Sequence, residues 1–368
     1  MQTSLPHRAP TVAGFVAMGL FWGAWASVLP DVQRATGASK GALGFALLFA
    51  AFGSIPTMLF LSGAIIDRFG PRALGITSAV FAGATTLPGL ASSLPLLIVA
   101  LALTGAANGA FDVSANANAA RIEKVTGQRL MPLAHGFYSV GILLGAVGAG
   151  LARSAGVGRE PILLAIAVLV GAVALWTSRE PLERVPRQGL SGLHFGRALL
   201  LIGLIAAAAF IVEGGIESWS ALFLERQLDA QPAVSGLGPG VFGASMAAGR
   251  FAGQAARVSD RVLLGGGAAL AACGCALAAA APNAPLALVG FAIGGMGISV
   301  NAPIVFGAAG RRAATAVATV TTIGYFGLLV GPPLVGGIAQ LTSLRWSFAV
   351  LAAIAAAVAA ATTRLRLD

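Results

Sequence analysis

The sequence predicts an all-α integral membrane protein whose twelve transmembrane helices form two pseudo-symmetric six-helix bundles. Three observations predict this. Of 368 residues, 57% are hydrophobic and only 10% charged, with a mean hydropathy of +0.87, whereas a soluble domain carries about 25% charged residues. The few charges leave uncharged runs of spanning length between them, and a hydrocarbon layer roughly 30 Å thick needs about 20 apolar residues per helix. Short polar motifs recur at matching places in the two halves.

The runs give the elements in order. Residues 11–30 form helix 1, too long an apolar stretch for the short core of a cleaved leader. Helix 2 covers 41–66, and 73–111 holds two helices with a break around 89–95. Runs 130–152 and 161–178 complete the first six. The second six begin at 198–224, interrupted by Glu213 and Glu217, and continue with 230–249, extending to 256. The run 262–310 divides at Ala281-Pro282-Asn283-Ala284-Pro285, and 313–344 and 346–363 close the set. The longest internal polar stretch, 179–197 with Pro181, Pro186 and Gly189, separates a bundle over 1–178 from one over 198–368.

The net charge of +10 is read as topogenic, and no nucleic-acid partner is expected. With the N-terminus inside, seventeen of the 23 Lys and Arg residues face the cytoplasm, Arg8, Arg72, Arg121, Arg250 and Arg311 among them. Six face outward: Arg34, Lys40, Arg153, Arg159, Arg226 and Arg345. Retention of basic residues on the cytoplasmic side puts both termini there, in a multi-pass protein of the bacterial inner membrane. Cys273 and Cys275, the only cysteines, point in different directions on a helix and suit neither a disulfide nor a metal site.

The halves look like copies. Gly109-Ala-Phe-Asp112-Val-Ser-Ala-Asn116 in helix 4 matches Gly294-Gly-Met-Gly297-Ile-Ser-Val-Asn301 in helix 10. Gly141 and Gly145 in helix 5 match Gly327 and Gly331 in helix 11, small-residue stripes that let helices approach closely. Asp67-Arg68 is echoed by Asp260-Arg261. Such repeats are a feature of transporter folds, with a solute site near the midplane.

Ionisable residues within a bilayer cost on the order of 3 kcal/mol and usually mark function. Asp112, His135, Glu213 and Glu217 fall within the predicted spans, and no Lys or Arg is expected near a span centre to neutralise the acids. With helix 4 ending near Ala120, Asp112 lies roughly 12 Å from that end, and Glu213 about 21 Å along helix 7 from Leu199. Low dielectric disfavours the charged form of an acid that lacks a cation, the property a proton carrier requires, so Asp112 and Glu213 are the candidates for a coupling proton. Glu217, Asn108, Asn116 and Asn301 are candidates to hydrogen-bond a solute. Trp22, Trp25, Tyr138, Trp219 and Tyr325 are candidates to stack on one, with an interfacial anchor as the other reading of Trp219.

The segment Gly63-Ala-Ile-Ile-Asp67-Arg68-Phe-Gly70-Pro-Arg72 resembles the loop signature of the major facilitator superfamily, departing from it at Pro71. The resemblance implies that Asp67, with Arg68 and Arg72, locks one of two alternating states. Three further segments are similar to the YbjJ-like branch, related to the fucose:proton symporter: Phe111-Asp-Val-Ser-Ala-Asn-Ala-Asn118, Met131-Pro-Leu-Ala-His-Gly-Phe-Tyr-Ser-Val-Gly141 and Glu213-Gly-Gly-Ile-Glu-Ser-Trp219. That similarity implies a proton-linked acid at Asp112 followed by Asn116, and solute contacts at His135 and Tyr138. Helix 1, read as ending at Pro30, lacks the acid that the symporter uses there.

The expectation is therefore a secondary transporter of a small polar, sugar-like solute, proton-coupled, monomeric and without cofactor. An exporter of amphiphilic compounds and a transport-inactive receptor are the alternatives. No phosphate-binding Gly-x-x-x-x-Gly-Lys loop is present for an ATP-driven pump, and His7, His135 and His194 form no catalytic cluster in the sequence.

Overall fold

A computed structural model describes residues 8–127, 130–177, 196–312 and 314–363. Most of the expected 179–197 linker lies outside the described residues, as do His7, Arg129, His194, Arg364 and Arg366. Among the described residues every regular element of the chain is a helix. Its spanning helices are α1 (Arg8–Thr36), α2 (Lys40–Phe69), α3 (Ala73–Leu90), α4 (Leu94–Thr126), α5 (Met131–Ser154) and α6 (Arg159–Thr177). A second set follows: α7 (Arg197–Gln227), α8 (Leu237–Ala255), α9 (Asp260–Ala280), α10 (Ala284–Arg312), α11 (Ala314–Leu341) and α12 (Leu344–Thr362). Eleven are long and apolar enough to cross a membrane, and the exception is the glycine-rich α8, which carries Arg250 and Gln254.

Local chemistry sets the boundaries. Asn283 caps α10 by accepting from the Leu286 amide at 3.1 Å, with Pro285 in the first turn. Ser259 caps α9 in the same way through Val262. Two helices outrun their predicted ends. Helix 4 passes Ala120 and stops at Gly127, whose φ of +68° is the left-handed turn that glycine adopts without strain. By the helical rise, Asp112 is then roughly 21 Å from the helix end. Helix 1 continues through Pro30 to Thr36 and so takes in Asp31. Helix 1 therefore does contain an acid, contrary to the expectation.

Within α2 a π-turn at Thr57–Leu61 follows Pro56, and α10 breaks between Ile298 and Asn301. Pro303 accounts for the second break, because it offers no N–H to the Ser299 carbonyl and its ring crowds that oxygen. The Ser299 hydroxyl turns back onto the Met296 carbonyl at 2.7 Å. The repeat-equivalent stretch of α4 has no proline and stays continuous.

The described residues fall into two compact units, those within 8–37 and 49–177, and those within 38–48 and 196–363. In the first, α1 and α5 make the most extensive pairing. A Cβ on Gly23 would lie 2.1 Å from the Ile142 carbonyl oxygen, and one on Gly145 2.1 Å from that of Leu20, so only glycine permits this approach. In the second, α7 and α11 pair likewise, a Cβ on Gly327 falling 2.1 Å from the Ala207 carbonyl. The predicted stripes at Gly141/Gly145 and Gly327 thus lie at equivalent helix contacts. So do two arginines: Arg159, opening α6, donates to the Gly89 carbonyl of α3 at 2.7 Å, and Arg345, in the first turn of α12, donates to Ala279 and Ala281 at the end of α9 at 2.9 and 2.7 Å.

Candidate functional site

In the first unit, Asn108, Asp112 and Asn116 recur every four residues and lie along one face of α4. Trp22 of α1 donates its Nε1 hydrogen to Asn108 Oδ1 at 3.0 Å. Asn116 Nδ2 donates to Asp112 Oδ1 at 3.0 Å and to its backbone oxygen at 2.9 Å. Among the described residues no cation pairs with the Asp112 carboxyl. Four predicted residues are therefore joined in two bonded pairs on adjacent turns. Asn118, around the helix from them, donates to Thr11 of α1 at 2.8 Å. Trp25 of α1 is buried. His135, partly buried, meets the Phe15 ring edge-on at 5.0 Å, and Tyr138 sits one turn further along α5, its backbone carbonyl against Gly19.

The Asp67 loop closes α2. Gly63 is partly buried, while Asp67, Arg68 and Arg72 are exposed, and Gly70 turns the chain with φ +53°.

In the second unit, Glu213 and Glu217 occupy one face of α7. Contrary to the expectation of unneutralised acids, Arg250 Nη2 lies 3.9 Å from Glu213 Oε1. Arg250 belongs to the body of α8, which continues to Ala255, and is not a loop-end charge. Glu217 lies one turn further along the same face of α7. Phe210 lies between Tyr325 and Phe306, with ring centroids 6.4 and 6.2 Å away.

Asn301 is fully buried at the α10 break and neither amide atom has a hydrogen-bond partner. Trp219 is wholly enclosed and its Nε1 likewise lacks a partner, so it is not an interfacial anchor. Three polar contacts escaped the sequence reading. Arg153 of α5 holds Asp31 through Nε and Nη2 at 2.6 and 2.8 Å. Glu123 near the end of α4 accepts from the Leu130 and Met131 amides at 2.6 and 2.8 Å, capping the helix that carries His135. Arg250 is the third. For Arg250 a signal existed, since the predicted eighth span extends to 256, which takes Arg250 into the helix. Among the described residues no group of three His, Cys, Asp or Glu side chains could hold a metal ion.

Two sets of six helices, eleven of the twelve long and apolar enough to cross a membrane, make this a polytopic membrane protein. The chain belongs to the Major Facilitator Superfamily, whose family model matches residues 11–318. It is 33% identical to an uncharacterised MFS-type transporter of Yersinia pestis, over 98% of this chain and 96% of that one. Among solved structures, the nucleoside transporter NupG superposes with a TM-score of 0.76 at 12% identity, covering 97% of this chain and 98% of its own. The Escherichia coli fucose:proton symporter FucP superposes with a TM-score of 0.63 at 16% identity, covering 97% and 98%.

Proposed function

We propose that this chain carries a small polar, sugar-like solute together with protons, by alternating access of the bundles at 1–178 and 198–368 across the linker 179–197. The observation that carries the reading is the Asp112 face: an aspartate within a spanning helix, held only by Asn116, beside the Trp22–Asn108 pair. Asp112 takes and releases the proton. Asn108, Asn116, Trp22, Trp25, His135 and Tyr138 of the first bundle are solute-binding residues, as are Asn301, Tyr325 and Glu217 of the second. Because Glu213 is paired with Arg250, its role is to respond to solute or proton by loosening that pair. Asp67, Arg68 and Arg72, with Gly63 and Gly70 shaping their loop, bias one state.

The three segments around Asp112, His135 and Glu213 support the YbjJ-like branch, and the proteins of known structure that share the fold include a fucose:proton symporter and a nucleoside transporter. We place the chain in the bacterial inner membrane as a monomer with both termini cytoplasmic, on the basic-residue bias. Proteoliposome uptake with monosaccharides, nucleosides and amphiphilic cations, with and without a pH gradient, tests the reading. Gradient-dependent accumulation of a sugar or nucleoside is expected, and accumulation of the amphiphilic cations alone would replace this reading with the exporter.

A further inference from the structure

The far end of α4 carries a side chain for which the transport reading has no use. Arg121 lies three residues beyond Asn118, at the end of α4 that meets the start of α1 through Thr11. Its Nε and Nη2 are both buried and neither has a hydrogen-bond partner. Those two nitrogens form one edge of the guanidinium, whose parallel N–H groups match the two oxygens of a carboxylate or phosphate.

The same unit shows what such an edge holds when filled. Nε and Nη2 of the buried Arg153 grip the two carboxylate oxygens of Asp31 at 2.6 and 2.8 Å. A second orphan adjoins Arg121: Oδ1 of the fully buried Asn118 also lacks a partner, and residues three apart are neighbours on a helix. A cationic donor left buried and unpaired is among the costliest arrangements in a fold. A bare donor fork beside a bare acceptor complements an oxyanion that also carries a hydroxyl.

We propose that Arg121 and Asn118 form an oxyanion site, the fork taking a carboxylate or phosphate and Asn118 accepting from a ligand hydroxyl. By the helical rise Arg121 lies roughly 40 Å along α4 from Leu94, beyond the roughly 30 Å of hydrocarbon. That depth admits two sources of the same chemistry: a soluble acid or phosphate ester, and the phosphodiester of an anionic lipid with a glycerol headgroup. The site is separate from the Asp112 face and stands whether or not the sugar reading does.

The test uses the full chain in a maltoside detergent, which supplies no oxyanion. One arm titrates lactate, glucuronate or inorganic phosphate, and the other adds phosphatidylglycerol in mixed micelles. The wild-type unfolding midpoint should rise saturably by roughly 2 °C or more in the arm that supplies the ligand. Arg121→Lys, which keeps the charge and loses the fork, should weaken half-saturation at least tenfold. A response to soluble anions assigns a solute site and a response to phosphatidylglycerol alone assigns a lipid site, both in support. A wild-type midpoint flat in both arms overturns the proposal, as does an Arg121→Lys or Arg121→Gln variant that responds like the wild type.

Discussion

Asp31 and Asp112 are aspartates within helices, placed in opposite surroundings. Asp31 is gripped by both forks of an ion cluster, Arg153 from α5 and Arg34 from its own helix, and Asp112 meets only an amide. Breaking a buried pair strands a charge and costs about 3–5 kcal/mol. Asp31→Ala should therefore sharply lower the thermal stability of the purified protein, whereas Asp31→Asn combined with Arg153→Met should recover most of the loss. Glu213 and Arg250 should behave as partners too. A double-mutant cycle with Glu213→Gln and Arg250→Gln, read by unfolding midpoints, should show coupling of roughly 0.5–3 kcal/mol, and additive effects would mean that the 3.9 Å approach carries no energy. Asp112, Glu213 and Glu217 were legible from their rarity in apolar runs, whereas Asp31 was missed because helix 1 was read as ending one residue before it. The partners were not legible either, because Asp31 and Arg153 are 122 residues apart, a separation that composition and periodicity do not bridge.

At the scale of elements, the sequence located all twelve spans but misjudged where several end. Charges mark where a helix is tempted to leave the membrane, while glycine turns and caps decide where it stops; α4 runs past Arg121 and Lys124 to Gly127 for that reason. The small-residue stripes were legible because close helix approach leaves no alternative to glycine. Gly145→Val should abolish folded protein, as its Cβ would press on the Leu20 carbonyl. Gly148→Val, where a Cβ meets nothing within 4 Å, should leave the size-exclusion profile unchanged. The break in α10 was less visible, since Pro303 sits in an otherwise apolar helical run. Restoring the missing N–H with Pro303→Ala should stabilise the protein, by about 1 kcal/mol or more, and slow transport if the break serves as a hinge. Unchanged turnover would make it a packing feature.

At the scale of the molecule, the internal repeat organises everything else. Helix pairs 1 with 5 and 7 with 11 use the same glycine contacts, and Arg159 and Arg345 close equivalent helix ends. This also explains residues that looked like exceptions to the charge bias. Of the six basic residues assigned to the minority side, Arg34 and Arg153 bind Asp31, and Arg159 and Arg345 cap helices. They are held by structure, not by topology. The repeat was legible because its motifs keep their spacing, but the motifs have diverged chemically: Asp112 faces Gly297 in the alignment of halves, and the second unit supplies its acids from α7 with Arg250 beside them. The proposed cycle thus uses a symmetric frame asymmetrically, with the proton on α4. The most direct test follows external pH in weakly buffered proteoliposomes as a transported sugar or nucleoside is added. The account predicts alkalinisation of the medium by the wild type and by Glu213→Gln, and none by Asp112→Asn; proton movement that survives Asp112→Asn and disappears in Glu213→Gln would contradict it.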